Sequence, residues 1–497
     1  MSRRVEIAGS SHPEPPGAEP LDDLDAGADV SVSVHLRTGG DGFDSRAALD
    51  DFRRFAADHD LWLWREADDS CIRLGGTHRQ LARAFGTRLR LYDNGFERFP
   101  ARSGPLTLPE ELVPWTLSVL GLDCRPLIPR PPVSAEAAPA DGNGMWPADI
   151  ARLYGIDLQA NLRDRRAAII AIGGGYSQDD LEGAAKAQGR EPPPVEEIAL
   201  NGVGNLFGSN PRADQELSLD IQVLAAFAPA AIIAVYFAAN NEDGLISAIR
   251  KAVSAPDPNL RPSVVSISWG SAETFWPEGV RDTAQTAFEA AATAGVTIVA
   301  AAGDDLTRAN TTDGAPHVLF PASHPLVLGC GGTAITLNPA GDAIKDEVVW
   351  NDNGLQGTGG GISNLFPVPA YQQNLPLPLA KDGKKMRGVP DVAALASGVP
   401  GYRIMFNGGP MAMLGTSAAA PLWAGIIAMA NARRPRPLGA LHAALYAARG
   451  LFREITKGNN FSGSVGFEAR DGWNACTGLG VPTSATVEGL SLIPQEV

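Results

Sequence analysis

The chain has 497 residues, and 41 Lys and Arg against 56 Asp and Glu give it a formal net charge of −15. That length is typical of roughly two to four domains, and the acidic balance argues against nucleic acid or an anionic membrane as the main partner. Hydrophobic residues are 44% of the chain and charged residues 20%, which predicts a soluble globular protein with a large core.

Targeting and disulfide signals are weak. The first residues include two arginines but lack the apolar stretch of a signal peptide. The longest apolar run, residues 418–430, contains Pro421 and is shorter than the ~18 residues that a membrane span requires. The cysteines are too few and too scattered for a disulfide framework or a zinc site, so we expect buried free thiols at Cys71, Cys124, Cys330 and Cys476.

Three successive segments are predicted ahead of the main domain. Residues 1–29 are polar, acidic and rich in Pro, which predicts disorder. Residues 30–124 predict a small α+β domain, because apolar residues alternate over 30–36 as in a half-buried strand and then recur at helical spacing. Residues 125–144 are rich in Pro, Ala and Gly, which predicts an exposed linker that is open to activating cleavage.

Residues 145–497 predict a larger domain built on a parallel sheet. Continuous apolar runs predict buried strands over residues 167–173, 231–238, 263–270 and 296–303. Helical patterns cover residues 179–188, 214–228, 241–254 and 280–294. Strands that are apolar throughout and alternate with helices predict an α/β fold, a doubly wound parallel sheet with helices on both faces.

Functional groups in such a sheet are expected beyond the carboxyl ends of its strands. Trp269 and Gly270 follow one predicted strand, and Asp304 follows another. The glycine-rich segment 173–176 follows the first strand, but it lacks the spacing of a phosphate-binding loop. We interpret it as a turn that lets two chain segments approach closely.

The segment Gly415-Thr416-Ser417 precedes an Ala-rich helix that contains Pro421. A Ser at this place often only caps the helix. The pattern GTS-x-x-x-P is nevertheless typical of a serine nucleophile in subtilisin-like sheets, where the helix N-terminus favours developing negative charge. A serine nucleophile needs a base, and the Asp and His of the usual triad have no counterpart at the expected places.

Glu216 and Asp220 offer a substitute for the missing base. They are spaced i and i+4 on one predicted helix, so their side chains lie on the same face. Two adjacent carboxyl groups repel each other unless one is protonated or they share a proton. Taken alone, the pair also fits a solvated acidic first turn. Together with Ser417 and Asp304, it predicts a catalytic pair.

A series of short motifs resembles the sedolisin family of serine-carboxyl peptidases, in particular its kumamolisin-like branch. In the larger domain these motifs are ELSLD (216–220), SISWG (266–270), AAGD (301–304), FPASHP (320–325), CGGT (330–333), VWNDN (349–353), GTGGGIS (357–363), RGVPDVA (387–393), GTSAAAP (415–421) and GWNACTGLG (472–480). The leading region resembles the family's propeptide over GPLTLPEEL (104–112) and VLGLDCRP (119–126). The resemblance implies a subtilisin-like fold preceded by a small α+β prodomain.

The resemblance also implies residue roles. Glu216 would be the general base, and Asp220 would orient and tune it. Ser417 would be the nucleophile, and a protonated Asp304 would donate a hydrogen bond to the oxyanion. A base with a pKa near ~4–5 works best near that pH, which predicts activity in acid. Substrate contacts are implied for Trp269, Gly270, Gly359, Gly360, Gly361, Gly415 and Thr416.

Two positions depart from the family pattern. Ala171 stands where kumamolisin-like enzymes often have a Glu bonded to the base, so we expect a weaker or pH-shifted enzyme. The family binds calcium through an Asp, the next carbonyl, two Gly carbonyls and a second Asp. The matching positions here are Glu454, Ile455, Arg470, Gly472 and Asn474. Since calcium affinity rises with ligand charge, we expect weak calcium binding or none, and no other cofactor.

We therefore interpret the chain as the proenzyme of an acid-acting endopeptidase that cleaves proteins or peptides through an acyl-enzyme. The propeptide would be its intramolecular inhibitor, and the processed enzyme would be a monomer. The resemblance implies an extracellular location. Two alternatives stay open: a hydrolase that uses His317, His324 or His442 as its base, and a peptide-binding pseudopeptidase.

Overall fold

The computed structural model describes residues 3–21, 24–38, 43–65, 70–127, 144–158, 162–163, 165–255, 257–380 and 382–494. The chain divides into two compact units. The first comprises the described residues within Met1–Ser134 together with Ala239–Ser247 and Trp276–Ala287, and the second comprises the other described residues.

The first unit is an α+β domain built from small antiparallel sheets, as the sequence predicts. Its main sheet has the strand order β4-β5-β3-β9, a second sheet has the order β2-β6-β7, and β1 pairs with β8. Phe52 and Phe55 on α1 are buried in its core with Val32 and Val34 of β3. Its elements are α1 (Ser45–Asp58), α2 (His78–Ala84), β1 (Arg4–Glu6), β2 (Glu19–Leu21), β3 (Asp29–Leu36), β4 (Trp62–Arg65), β5 (Cys71–Thr77), β6 (Leu89–Asp93), β7 (Arg98–Arg102), β8 (Thr107–Pro109) and β9 (Thr116–Leu120).

The N-terminal segment is folded, so the prediction of disorder over residues 1–29 is wrong for its described part. β1 pairs antiparallel with β8, β2 pairs with β6, and Ile7 is buried. The average composition of residues 1–29 does not reveal these strands, because strand pairing satisfies the backbone hydrogen-bonding groups whatever the side chains are. The half-buried strand predicted over residues 30–36 is also buried on both faces, since Ser33 and His35 are as inaccessible as their apolar neighbours.

The remaining helices and strands build the second unit and the segments that join it to the first. The helices are α3 (Pro147–Leu153), α4 (Gln178–Ala187), α5 (Pro211–Phe227), α6 (Glu242–Val253), α7 (Glu278–Thr293), α8 (Thr416–Ala432), α9 (His442–Ala447) and α10 (Thr486–Ser491). The strands are β10 (Arg166–Ile172), β11 (Val195–Ala199), β12 (Ile232–Ala238), β13 (Val264–Ile267), β14 (Ser271–Ala272), β15 (Thr297–Ala301), β16 (Leu319–Phe320), β17 (Val327–Leu337), β18 (Ile344–Val349), β19 (Asn351–Asp352), β20 (Gln356–Gly357), β21 (Gly361–Pro367), β22 (Met386–Val389), β23 (Val392–Leu395), β24 (Tyr402–Phe406), β25 (Gly409–Met413), β26 (Phe452–Arg453) and β27 (Val481–Pro482).

The second unit is organised around one parallel sheet. Its strands run in the order β11-β12-β10-β13-β15-β17-β23, and β18 adds antiparallel to the far end of β17. β10, β12, β13 and β15 are apolar runs buried almost throughout, as strands covered on both faces must be. The predicted doubly wound α/β fold is therefore confirmed, including the four predicted strands and helices α4 to α7.

Helices α5 and α8 pack against each other on this sheet, and both carry predicted catalytic residues. They approach closely at Gly425, where an added Cβ would lie 2.4 Å from the Cβ of Phe227. Any larger side chain at Gly425 would therefore push the two helices apart. The relative position of Glu216 on α5 and Ser417 on α8 depends on this contact.

Other predictions fall on connecting segments and thiols. Of the predicted linker 125–144, residues 128–143 lie outside the described residues, and Met145 bridges to Tyr402 at the start of β24. The four cysteines are free thiols, and Cys124 alone among them is only half-buried. Among the described residues, no helix is both long and apolar enough to cross a bilayer.

Candidate active site

The predicted catalytic residues converge at the carboxyl ends of the central strands. Ser268 directly follows β13, and Asp304 lies three residues beyond β15. Helix α8 begins beside them, so its N-terminus points at the same edge of the sheet. This is the place where parallel sheets bind ligands.

Ser417 is the second residue of α8 and does not cap it. The N-cap is Gly415, whose φ of 123° favours glycine and which makes no side-chain cap. A Cβ at Gly415 would also lie 2.8 Å from Oδ2 of Asp304. The side chain of Ser417 lies close enough to Glu216 to lower its pKa, although burial raises that pKa by more.

Pro421 explains a second contact of Ser417. Proline has no N–H, so the carbonyl of Ser417, four residues earlier in α8, lacks its normal helical donor. The hydroxyl of Ser268 fills the place, with its oxygen 3.3 Å from that carbonyl oxygen. The same hydroxyl lies 2.7 Å from Oδ1 of Asp220, so its one proton is shared between these two acceptors. The spacing GTS-x-x-x-P therefore ties the nucleophile's backbone to the carboxyl pair through Ser268.

The carboxyl group of Glu216 has a raised pKa. Burial raises the pKa of Glu216 to about 7, and the nearby Asp304 raises it further, while Ser417 and Arg212 act in the opposite direction. The expectation of an ordinary base pKa near ~4–5 is therefore too low. Burial also raises the pKa of Asp220 well above its usual range, and the charge of Glu216 adds to this effect.

Each carboxyl group of this pair keeps one oxygen free. Oε1 of Glu216 and Oδ2 of Asp220 are buried without a hydrogen-bond partner among the described residues. If one of the two carboxyl groups were protonated, it could donate a hydrogen bond to the other, and both oxygens would then have a partner. A carboxylic acid can donate, whereas a carboxylate can only accept. Ala171, buried in β10, supplies no third carboxyl group.

Asp304 holds the N-terminus of α8. Its Oδ1 accepts the backbone N–H of Thr416 at 2.7 Å and the hydroxyl of Thr416 at 2.8 Å. Burial raises the pKa of Asp304, although these two hydrogen bonds and the charge of Arg212 lower it. Since Oδ1 is occupied by two donors, a proton on Asp304 belongs on Oδ2, which faces Gly415.

The predicted substrate-binding glycines lie beside Asp304. The N–H of Gly359 donates to the carbonyl of Gly303 at 2.7 Å, and Gly360 and Gly361 lead from there into β21. Trp269 is buried directly after Ser268, and Gly270 follows it. Their contacts with a substrate stay a prediction.

The three histidines of the second unit are engaged elsewhere. His317 pairs with Asp313 at 3.0 Å, and His442 faces Asp391 at 3.7 Å. Nδ1 of His324 accepts the N–H of Leu326, and burial lowers the pKa of His324 to about 3. An imidazole with so low a pKa is a weak base, so the structure favours a carboxylate as the partner of Ser417.

The five predicted metal ligands lie together but do not present a cation site. The side-chain amide of Asn474 donates to the carbonyl of Ile455 at 3.0 Å and to that of Arg470 at 3.4 Å. The N–H of Gly472 donates to Glu454 at 2.9 Å. Amide donors thus point where oxygen ligands would have to face an ion. Among the described residues, no three His, Cys, Asp or Glu side chains cluster as metal ligands either.

Sequence reasoning missed two polar residues around the site. Ser268 lies within the SISWG motif, at a strand end where functional groups are expected, but no partner could be read from its position. Asp214 accepts the N–H groups of Gly175 at 2.6 Å and Gly208 at 2.9 Å, so it joins the glycine-rich turn to α5. This contact confirms the interpretation of residues 173–176 as a close-packing turn.

We expect Ser268→Ala to lower both stability and kcat, because Asp220 loses a hydrogen bond that lowers its pKa and the Ser417 carbonyl loses its donor. A missing buried donor costs about 1–3 kcal/mol of unfolding free energy. Pro421→Ala returns an N–H to that carbonyl, so the stability loss should shrink in the Pro421→Ala background. Thermal unfolding of wild type, Ser268→Ala, Pro421→Ala and the double variant measures this difference. Equal stability losses in both backgrounds would refute the contact between Ser268 and the Ser417 carbonyl.

The fold assigns the class of protein, and known proteins support it. A model described as the subtilase family matches residues 210–449, which include α5 and α8. A solved structure of Pseudomonas sedolisin, complexed with two molecules of pseudo-iodotyrostatin, matches with a TM-score of 0.60 at 27% identity, covering 70% of this chain and 97% of that one. The second unit is thus a subtilisin-like peptidase fold.

The comparison with curated relatives is more specific. Kumamolisin from Bacillus sp. (strain MN-32) is 38% identical over 472 residues, which cover 90% of this chain and 84% of kumamolisin. Sedolisin from Pseudomonas sp. (strain 101) is 28% identical over 436 residues, covering 82% of this chain and 73% of sedolisin. The chain belongs to the sedolisin family of serine-carboxyl peptidases, so it is a hydrolase that acts on proteins or peptides.

Proposed function

We propose that the protein is an acid-acting serine-carboxyl endopeptidase that uses Ser417 as nucleophile and Glu216 as general base. The observation that carries the proposal is the convergence of Ser417 with the Glu216 and Asp220 pair. Ser268 lies between Asp220 and the Ser417 carbonyl, and the Ser417 side chain lowers the pKa of Glu216. A carboxylate with a raised pKa is a stronger base than a solvated one, and Glu216 lies near the hydroxyl whose proton it must remove.

The chemistry needs only groups that converge here. As Oγ of Ser417 attacks the scissile carbonyl carbon, its proton moves to Glu216, and the carbonyl oxygen becomes an oxyanion. A protonated Oδ2 of Asp304 donates a hydrogen bond to that oxyanion. Glu216 then returns the proton to the leaving amine, and a water molecule hydrolyses the acyl-enzyme by the same path. Asp220 would hold Glu216 in place by sharing a proton with it.

Opposite protonation requirements explain an acid optimum. Glu216 must be ionised, so activity rises as pH rises through its pKa, whereas Asp304 must be protonated, so activity falls above its own pKa. Both pKa values are raised. Because the groups interact, the two limbs of the bell-shaped profile belong to the coupled pair. We expect the maximum between the two apparent pKa values, in mild acid.

The test is cleavage of an unstructured peptide by the purified chain from about pH 3 to 8, after incubation near pH 4. The proposal expects a bell-shaped profile with its maximum in acid. Activity that is greatest above neutrality would favour a histidine base. No cleavage at any pH would favour the peptide-binding pseudopeptidase.

Maturation is part of the same proposal. The first unit would act as an inhibitory propeptide, and cleavage within residues 125–144 would release a monomeric, extracellular peptidase. The α+β fold of the first unit and the match to kumamolisin over 90% of the chain support this. If wild type and Ser417→Ala are processed alike in acid, self-cleavage is wrong.

Arg212 should tune the pH profile. It is exposed one turn before Glu216 on α5, and its charge lowers the pKa of both Glu216 and Asp304. Arg212→Ala should therefore move both limbs of the profile to higher pH, by a few tenths of a unit because the side chain is solvated. Arg212→Lys keeps the charge and should stay close to wild type.

The measurement is kcat/KM against pH at low ionic strength. Added salt should reduce the difference between wild type and Arg212→Ala, since it screens exposed charges. A shift to lower pH in Arg212→Ala, or the same shift in Arg212→Lys, would contradict this role for the charge.

A further inference from the structure

We propose that the side-chain amide of Asn474 replaces a bound cation, so that the C-terminal loop of this peptidase is held by hydrogen bonds and needs no calcium. Asn474 is 1% exposed, and its Nδ2 donates to the carbonyls of Ile455 and Arg470. An amide has two N–H donors, and both are used. The amide therefore joins two chain segments that a cation would otherwise bridge through the same two carbonyl oxygens.

The orientation of the amide is fixed by its oxygen. Oδ1 of Asn474 accepts the N–H of Cys476 at 3.1 Å, the N–H of Thr477 at 3.0 Å and the Thr477 hydroxyl at 3.1 Å. Two of these donors are backbone groups, which cannot act as acceptors. If the amide were flipped, its N–H groups would face the backbone N–H groups of Cys476 and Thr477, which cannot accept them. Nδ2 must therefore face the two carbonyls.

The side chains of Glu454 and Arg470 also make hydrogen bonds. Oε2 of the exposed Glu454 accepts the N–H of Gly472, and the guanidinium of Arg470 donates to the carbonyl of Pro376. Arg470 adds a positive charge near the place where a divalent cation would have to sit. A calcium ion needs ~6–8 oxygen ligands and benefits from carboxylate charge. Here the two inward carbonyls face an amide, and one carboxylate is already bonded.

The loop that Asn474 holds contacts the segment next to the predicted substrate-binding glycines. Gly478 and Asn474 exchange backbone hydrogen bonds, and the N–H of Leu479 donates to the carbonyl of Asp391 at 2.7 Å. The hydroxyl of Thr358, just before the predicted substrate-binding glycines, contacts the carbonyl of Cys476 at 3.4 Å. Loosening residue 474 should therefore lower stability first and activity second.

Asn474→Asp tests the exchange of amide for cation. An aspartate keeps the acceptor for Cys476 and Thr477 but sets a carboxylate oxygen against two carbonyls, which favours a metal ion. In the presence of a chelator, the unfolding midpoint of Asn474→Asp should lie several degrees below that of wild type. Millimolar calcium should restore part of this loss in the midpoint. Asn259→Asp makes the same charge change at an exposed position and should respond to neither reagent.

The decisive measurement is thermal unfolding of the full wild-type chain with chelator and with calcium, beside calorimetric titration with calcium. The proposal expects the wild-type unfolding midpoints in chelator and in calcium to lie within about 1 °C of each other. It also expects no heat of calcium binding in the titration. A wild-type midpoint that rises by several degrees in calcium, or a saturable site in the titration, would overturn it. The wild-type comparison decides even if Asn474→Asp fails to fold, and it does not depend on the catalytic roles proposed above.

Discussion

Ser417→Ala should reduce kcat/KM for peptide cleavage by at least about 10⁴-fold at every pH, because the proposed mechanism forms the acyl-enzyme on the Ser417 hydroxyl. Ser417 is buried at the start of α8, and its side chain lowers the pKa of Glu216. Removing one oxygen there leaves the helix cap, made by Asp304 and Thr416, intact. The variant should therefore stay folded and keep its binding of peptides.

The matched control is Ser254→Ala, which removes an exposed serine hydroxyl at the end of α6 and should leave activity unchanged. The measurement is steady-state cleavage with a trap for contaminating proteases. Circular dichroism establishes that each variant is folded. Residual activity above about one per cent of wild type in folded Ser417→Ala would exclude it as the nucleophile.

Glu216→Gln should lose at least about 10³-fold in kcat/KM and yet be more stable than wild type near neutral pH. The amide keeps the shape of the side chain but cannot accept the hydroxyl proton. The stability gain follows from the pKa of Glu216, which burial raises from 4.5 to about 7. A buried group that must ionise destabilises the fold at neutral pH.

The sign of the pH dependence follows from proton counts. Between about pH 4.5 and 7 the folded state holds a proton on Glu216 that the unfolded chain has released, so the free energy of unfolding falls as pH rises. The decline due to Glu216 is on the order of 3 kcal/mol and is complete above its folded pKa. Glu216→Gln should remove this decline and leave the dependence due to Asp220 and Asp304.

Denaturant unfolding at several pH values measures this effect, with Glu191→Gln as a control on an exposed carboxylate. Wild type and Glu191→Gln should lose stability together as pH rises, whereas Glu216→Gln should lose less. If Glu216→Gln follows the wild-type curve, Glu216 is not the buried titrating group that the geometry indicates.

The sheet and the site helices could be predicted because their signals are local. Strands that are apolar at every position, such as β12, predict burial on both faces, and the spacing of Glu216 and Asp220 fixes their shared helix face. The proline at residue 421 marked the helix of the nucleophile. The structural consequence of that proline is that the Ser417 carbonyl lacks its helical donor and is approached by Ser268. This could not be read from the sequence, because residues 268 and 421 are distant in sequence.

Burial and hydrogen-bond direction could not be predicted from the sequence. The raised pKa of Glu216 depends on its burial and on residues distant in sequence, such as Asp304. The replacement of Asp by Asn at residue 474 predicted weaker cation binding, but only the donors around Oδ1 show which way the amide points. The folded N-terminal segment was missed because composition averages over residues such as Ile7, which is buried individually.

The most direct test of a carboxylate base is the pH profile of kcat/KM for wild type, for Glu216→Gln, and for single Gln replacements of His317, His324 and His442. We predict that Glu216→Gln abolishes the acid maximum and gains no activity elsewhere, while each histidine variant that folds keeps a wild-type profile shape. Activity near neutrality that survives in Glu216→Gln and disappears in one histidine variant would contradict the mechanism.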